Sequence, residues 1–209
     1  NRKGAEVGEL ITTQVTKLLH KQKLAGNDVF SIGVSVPGIS YRETGIVWAP
    51  NISGWNEYPL LKEIQQHADN IPVAIESDRS CYILGESWKG AARGCKDAIF
   101  VAVGTGIGAG IMVNGTILRG THGTAGSIGW MSLDKPYRST FIDCGCFESR
   151  GSGAGIAKLA KEVLRASANY NGVLSDYADI TALDILNAYE QDDVVAKETV
   201  SQCIELWGM

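Results

Sequence analysis

Apolar runs of strand length, closed by glycine, proline or asparagine, alternate along this chain with helical stretches, and one strand–helix–strand segment has the spacing of a parallel crossover. Together with 44% hydrophobic content in 209 residues, enough for a buried core, this predicts an α/β fold. Residues 5–24 carry Val7, Leu10, Ile11, Val15, Leu18 and Leu19 at helical spacing with polar residues between them, an amphipathic helix. Residues 30–36 form a buried strand closed by Pro37-Gly38, which cannot continue a central strand, and residues 46–48 form a second short one. Pro59 suits the first position of a brief helix that ends near Asn70. The crossover segment follows: a strand at 72–76, Ser77-Asp78 heading a helix to about Arg93, and a strand at 98–103. Asn114-Gly115, set between Ile111-Met112-Val113 and Thr116-Ile117-Leu118, is a strong hairpin signal. Residues 120–155 are loop-rich, and helices follow at 156–168, 182–189 and 194–207.

Composition narrows the function. Nineteen Lys+Arg against 23 Asp+Glu give a net charge of -4, and the basic residues are scattered singly, which argues against nucleic acid as a partner. Five cysteines, with no charged-then-apolar leader ahead of them, point to a reducing cytoplasm rather than a disulfide framework. Residues 98–118 carry no charge, yet Gly104, Gly106, Gly108, Gly110, Gly115, Thr105, Thr116 and Asn114 interrupt them, so they read as strands and turns and not as a membrane span.

Three places have chemistry to offer. In the run 104–110, Gly104, Gly106 and Ala109 fit a dinucleotide fingerprint by letter, but the fingerprint needs a strand that enters a helix, and here strand leads to strand. What remains is a turn whose amides, with the Thr105 hydroxyl, can wrap a phosphate; a plain hairpin corner is the equal alternative. Asp78 stands where a strand ends and a helix begins, a place for a helix cap and also for a catalytic base. Asn51, in a loop with Trp55, offers a donor and an acceptor suited to a sugar hydroxyl, or simply forms a turn. Cys144-Gly145-Cys146 is half of a tetrahedral metal site, and Cys81, Cys95 and Cys203 read as core. His122 lies in the glycine-rich loop, within reach of any ligand there.

In this order, Ser31-Ile32-Gly33-Val34-Ser35-Val36-Pro37-Gly38, Gly45-Ile46-Val47-Trp48-Ala49-Pro50-Asn51 and Ser77-Asp78 are joined by the 104–110 run. Arg119-Gly120, Gly123-Thr124-Ala125-Gly126-Ser127-Ile128-Gly129 and Gly145-Cys146-Phe147-Glu148 complete the set. This ordered set resembles the ROK group of sugar kinases and sugar-responsive repressors. The resemblance implies an actin/hexokinase-like (ribonuclease H-like) sheet flanked by helices, as a truncated two-domain kinase. It implies a sugar-binding lobe over 1–97 and, over 98–209, a lobe with the second phosphate turn, the sugar loop and helices. It further implies that Asp78 is the general base, that Asn51 and Glu148 contact the sugar, that Gly104, Thr105 and Gly106 cradle the phosphates of ATP with Mg²⁺, and that the chain is a cytoplasmic homodimer.

The departures are specific. Where the family carries Gly-Glu-Ile-Gly-His, with the glutamate on the sugar and the histidine on sugar and zinc, this chain has Gly126-Ser127-Ile128-Gly129-Trp130. Only one ligand of the family's zinc loop is matched, so structural zinc is expected to be lost, with packing by Trp130 ordering the loop in its place. The family's opening Asp-x-Gly-Gly-Thr hairpin has no counterpart, since the one Asp-x-Gly, Asp143-Cys144-Gly145, stands in the wrong context. The chain thus resembles the middle of a longer kinase, and weak or no ATP turnover is expected of it. An ATP-dependent kinase of a hexose or N-acetylhexosamine is the leading expectation. The sugar-sensing domain of a repressor, without catalysis, is the alternative, and a degenerate dimerising scaffold a third.

Overall fold

Turn chemistry sets most element ends. In the computed structural model, which describes residues 4–133, 135–142 and 144–209, α1 (Ala5–Leu24) leads to β1 (Ile32–Val36), β2 (Ile39–Tyr41) and β3 (Ile46–Trp48). Next come α2 (Leu60–Gln65), β4 (Val73–Ser77), α3 (Asp78–Lys89), β5 (Ala98–Val103), β6 (Ile107–Val113) and β7 (Thr116–Ile117). The helices α4 (Cys146–Gly151), α5 (Gly153–Ala166), α6 (Ala182–Glu190) and α7 (Val194–Gly208) complete the chain. The α/β class is therefore as the sequence predicts. Asp143, the acid of the Asp-x-Gly segment, lies outside the described residues.

The chain divides into two compact units, Asn1–Phe100 with Gly110–Gly126, and Val101–Ala109 with Ser127–Met209. In the first, β1 and β4 pair in parallel, Val34 opposite Ile75 and Val36 opposite Ser77. β2 and β3 pair antiparallel, with Ile39 opposite Trp48. Trp55, fully buried, stacks on Tyr58 with ring centroids 4.5 Å apart, and its indole N–H donates to Gly4 O at 3.0 Å, which satisfies the polar end of a buried aromatic. Val36, Val47, Leu60, Ile64 and Ile75 surround that stack.

The parallel partner of β4 corrects the expected crossover. The stretch from β4 through α3 to β5 was expected to give one parallel sheet, but β5 belongs to a separate sheet of order β5-β6-β7, and the parallel crossover runs from β1 to β4. Strand spacing reports a connection length, not which edge the strand joins. The hairpin prediction holds in detail. Asn114 and Gly115 both take positive φ, 51° and 74°, as the two-residue turn demands, and Met112 and Val113 pair with Ile117 and Thr116.

The second unit centres on α5, α6 and α7, packed through Ile156, Leu159, Leu174, Ile185 and Val195. Asp193, nearly fully buried, caps α7: one oxygen accepts from Val195 and Ala196 N–H at 3.0 Å each, and the other accepts from Tyr170 O–H and Val173 N–H. Each lone-pair direction thus has a donor, as a buried carboxylate requires. Residues 120–155, read as loop, contain the short helix α4, whose six residues between glycines are too few to show a period.

Candidate functional site

Asn51 sits at the tip of a loop that closes on itself. Ala49 N–H donates to Trp55 O at 2.8 Å and Ile52 N–H to Ala49 O at 3.0 Å, so Asn51 does occupy a turn, where it is exposed while Trp55 is buried. The turn and ligand roles are compatible at this residue.

Asp78 is the first residue of α3, immediately after β4. Capping falls to its neighbour: Ser77 Oγ accepts from Ser80 N–H at 3.3 Å. The half-buried Asp78 carboxylate accepts from Arg79 N–H through Oδ1 at 2.8 Å. A carboxylate excused from capping, at the C-terminal end of a parallel strand, is placed where open α/β sheets bind substrate.

Sequence reading missed the pair that holds this strand end. Arg119 donates from Nε to Glu76 Oε2 at 2.9 Å and from Nη2 to the same oxygen, while its Nη1 donates to Ile117 O at 3.2 Å. Glu76 Oε1 in turn accepts from Ser77 N–H. Arg119 O also accepts from Ala125 N–H at 3.0 Å and closes the 119–125 loop. One arginine therefore ties that loop to the residues just before Asp78. The signal available was Arg119 opening a glycine-rich loop, but its acid is 43 residues away in sequence.

In the other unit, the 104–106 turn joins β5 to β6. Gly104 N–H already donates to Gly106 O at 2.9 Å, and Gly104 O accepts from Gly153 N–H, at the start of α5, at 2.8 Å. A methyl at Gly104 would meet nothing within 4 Å, so this residue offers a ligand bare space rather than its amide. Thr105 is exposed and Gly106 half-buried. The turn is exposed, with room beside Gly104 and a hydroxyl on Thr105.

Glu148 lies in the first turn of α4 and reaches that turn: its Oε2 accepts from Ile107 N–H at 2.7 Å. A methyl at Gly106 would lie 2.7 Å from the same oxygen, and one at Gly129 would lie 3.0 Å from it. Gly106 leaves room for the carboxylate, while at Gly129 the nearer obstacle is backbone, Ile107 O at 2.6 Å.

Trp130 corrects an expectation. It was expected to order its loop by packing, but it is 54% exposed. Order comes from backbone contact: Phe147 N–H donates to Met131 O at 3.2 Å, and a methyl at Gly145 would lie 2.4 Å from Gly129 O. Cys95, read as core, is exposed, and Cys81 is only half-buried, whereas Cys203 is buried. His122 is exposed. Among the described residues no cluster of three or more His, Cys, Asp or Glu is arranged to hold a metal ion, and no helix is long and apolar enough to cross a membrane.

Comparison with known proteins gives these features a context. The model of the ROK family matches residues 2–208. A glucokinase of Halalkalibacterium halodurans is 33% identical over 203 residues, 92% of this chain and 61% of the relative. A xylose repressor of Caldicellulosiruptor bescii is 28% identical over 205 residues, 96% of this chain and 50% of the relative. The crystal structure of a ROK hexokinase from Thermus thermophilus superposes with a TM-score of 0.78 at 24% identity, covering 98% of this chain and 63% of that one. The chain thus spans between 50% and 61% of the length of these two sequence relatives.

Proposed function

The chain belongs to the ROK family, and we propose that it carries the sugar-binding and phosphate-binding halves of an ATP-dependent kinase of a hexose or an N-acetylhexosamine. The observation that carries this reading is Asp78: a carboxylate at the end of a parallel strand, relieved of capping by Ser77 and seated beside the Glu76–Arg119 pair. In this proposal Asp78 accepts the proton of a sugar hydroxyl as that oxygen attacks the γ-phosphate of ATP, and Asn51 and Glu148 hold other sugar hydroxyls. Gly104, Thr105 and Gly106 contact the phosphates, and Mg²⁺ arrives with ATP as part of the substrate, supplying charge neutralisation. Phosphoryl transfer asks mainly for positioning, so a turn pinned at both ends and a base on a rigid element suit it. The sugar lobe spans 1–97 and the phosphate lobe 98–209; the protein works in the cytoplasm as a homodimer without structural zinc or a nucleic-acid contact of its own.

The similarity to a xylose repressor, with Ser127 and Trp130 where the family has an acid and a histidine, favours a second reading in which the chain binds sugar without catalysis. Assay of the complete gene product with a panel of hexoses and N-acetylhexosamines plus ATP, beside Asp78→Asn, decides between them. ADP release that falls at least about a hundredfold in Asp78→Asn supports the kinase. Sugar binding with no ADP from the parent protein removes the kinase and leaves the sensor.

A further inference from the structure

Two short segments of the second unit, 167–173 and 191–194, line a cleft of about 470 Å³, within the roughly 300–1,000 Å³ usual for a small-molecule site. Asp193 fastens the two segments together. Its Oδ2 accepts from Tyr170 O–H and Val173 N–H, Leu174 N–H donates to Tyr170 Oη at 2.9 Å, and a methyl at Gly172 would lie 2.3 Å from that carboxylate oxygen. The cleft is therefore pre-formed, and a ligand that enters it meets little ordering cost. It is also remote from the 104–106 turn. The 14 residues of α5 run from Gly153, whose N–H donates to Gly104 O, to Ala166, just ahead of the cleft, so about 20 Å of helix lies between them.

Its polar groups define the ligand. Among the described residues the side-chain amides of Asn169 and Asn171 have no hydrogen-bond partner, and each offers donors and an acceptor. Gln191 donates from Nε2 to Asn187 O at 3.1 Å, which leaves its Oε1 to accept. Both acids of the cleft are matched: Asp192 pairs with Lys197 Nζ at 2.6 Å, and Asp193 accepts from Val195 and Ala196 N–H through its other oxygen. No Lys, Arg or His among the described residues lines the cleft, so it calls for neither an anion nor a cation. Exposed Val173 and Val194 add C–H surface. A molecule with hydroxyls on its rim and C–H on its faces meets both demands. We propose that this cleft binds a neutral saccharide. Its hydroxyls exchange hydrogen bonds with Asn169, Asn171 and Gln191 Oε1, and a ring face covers Val173 and Val194. No bond is made or broken, and the site stands whether or not Asp78 is a catalytic base.

An NMR titration of the isotope-labelled protein with maltose, putrescine and inorganic phosphate in turn tests this. It is read at the side-chain amides of Asn169 and Asn171 and at the backbone amides of 167–173 and 191–194, so that sugar bound near Asn51 or Glu148 reports at other residues. Maltose is expected to shift the cleft signals to saturation with a Kd no weaker than about 10 mM, while putrescine and phosphate leave them in place. Asn171→Ala, which removes neutral hydrogen bonds to the sugar, should weaken maltose at least about threefold. Ala168→Trp, which fills the cleft from an exposed position, should abolish the shifts. Both variants keep Asp193 and its donors, and an unchanged melting midpoint checks that they fold. If Asn171→Ala does not fold, the Trp variant carries the test. Maltose that shifts nothing in the cleft, shifts that survive both substitutions, or saturation by putrescine or phosphate in place of maltose overturns the inference and leaves the proposed function standing.

Discussion

Replacing Gly110 by alanine perturbs the seat of Asp78 without touching it. Gly110 lies on β6 under the first turn of α3, and an added methyl would sit 2.1 Å from the backbone oxygen of Arg79 and 2.9 Å from a methyl of Ile83. Ordinary contact between such atoms is near 3.5 Å, so strand and helix must separate by over about 1 Å, and the obstacle is backbone that no rotamer change can remove. Overpacking of this kind costs about 1–3 kcal/mol; at roughly 2–4 °C per kcal/mol for a chain of this size, Gly110→Ala lowers the melting midpoint by about 2–12 °C. Thermal unfolding followed by circular dichroism measures it, with Gly33→Ala as the control. Gly33 sits on β1 with nothing within 4 Å of an added methyl, so that variant is expected within about 0.5 °C of the parent or slightly above it, through the reduced freedom of its unfolded chain. Should the two variants melt together at the parent's temperature, the packing of β6 beneath α3 described above is wrong. Asp78-dependent activity, where present, falls in Gly110→Ala and not in Gly33→Ala.

Arg119→Lys keeps the charge but loses the paired bonds to Glu76, and a charge-assisted bond of this kind contributes about 1.5–3 kcal/mol. A drop of at least about 2 °C in the melting midpoint is expected, and adding Glu76→Gln should cost less than the sum of the two changes; strict additivity in that double-mutant cycle would dismiss the pair. Burial, then the bond to Glu63, pushes the Tyr58 hydroxyl up to about 12, and burial, then Asp193, does the same for Tyr170. An unfolded tyrosine ionises near 10, so the stability these groups confer is fully present below pH 10 and is lost as pH rises from 10 to 12; tyrosinate absorbance should show two of the seven tyrosines titrating late, and a single transition near 10 in the native protein would contradict this. Burial raises the Cys203 thiol to about 11, so iodoacetamide at pH 8 should alkylate exposed Cys95 at least about tenfold faster than Cys203, a ratio that mass spectrometry of the digested peptides reports and that denaturant should erase.

How much of this could be read from sequence depended on the distance over which each feature is decided. α1 is legible over its full range because a 20-residue amphipathic pattern repeats its message five times over. The hairpin at Asn114-Gly115 was found because two adjacent residues with positive φ determine it. β2 and α4, at three and six residues, are too short to carry a period. The pairing of β1 with β4, and of Arg119 with Glu76, joins residues about forty apart, and nothing local distinguishes one parallel edge or one acid from another. The candidate site shows the same division. Asn51 and Asp78 each had an ordinary local explanation and Glu148 had no local signal, and only the joint order of the motifs singled the three out. That Ser77 takes the cap and leaves Asp78 to other work is a matter of which oxygen points at which amide. Trp130 failed as an ordering residue because Gly129 and Gly145 bring backbones into contact there, which residue size alone does not reveal.

The space around Glu148 makes two positions a single heritable trait. A side chain at 106 meets the far end of Glu148, 2.7 Å from its Oε2, and enters only once that carboxylate has moved aside or residue 148 has shortened, whereas one at 129 meets Ile107 O at 2.6 Å whatever stands at 148. The order of substitution therefore matters. A lineage that first loses Glu148 opens Gly106 to drift, and a later gain there works as a ratchet against restoring the acid, while Gly129 stays held by backbone. A combinatorial library that varies 106 and 148 together would reach sequences that stepwise mutation from this chain does not.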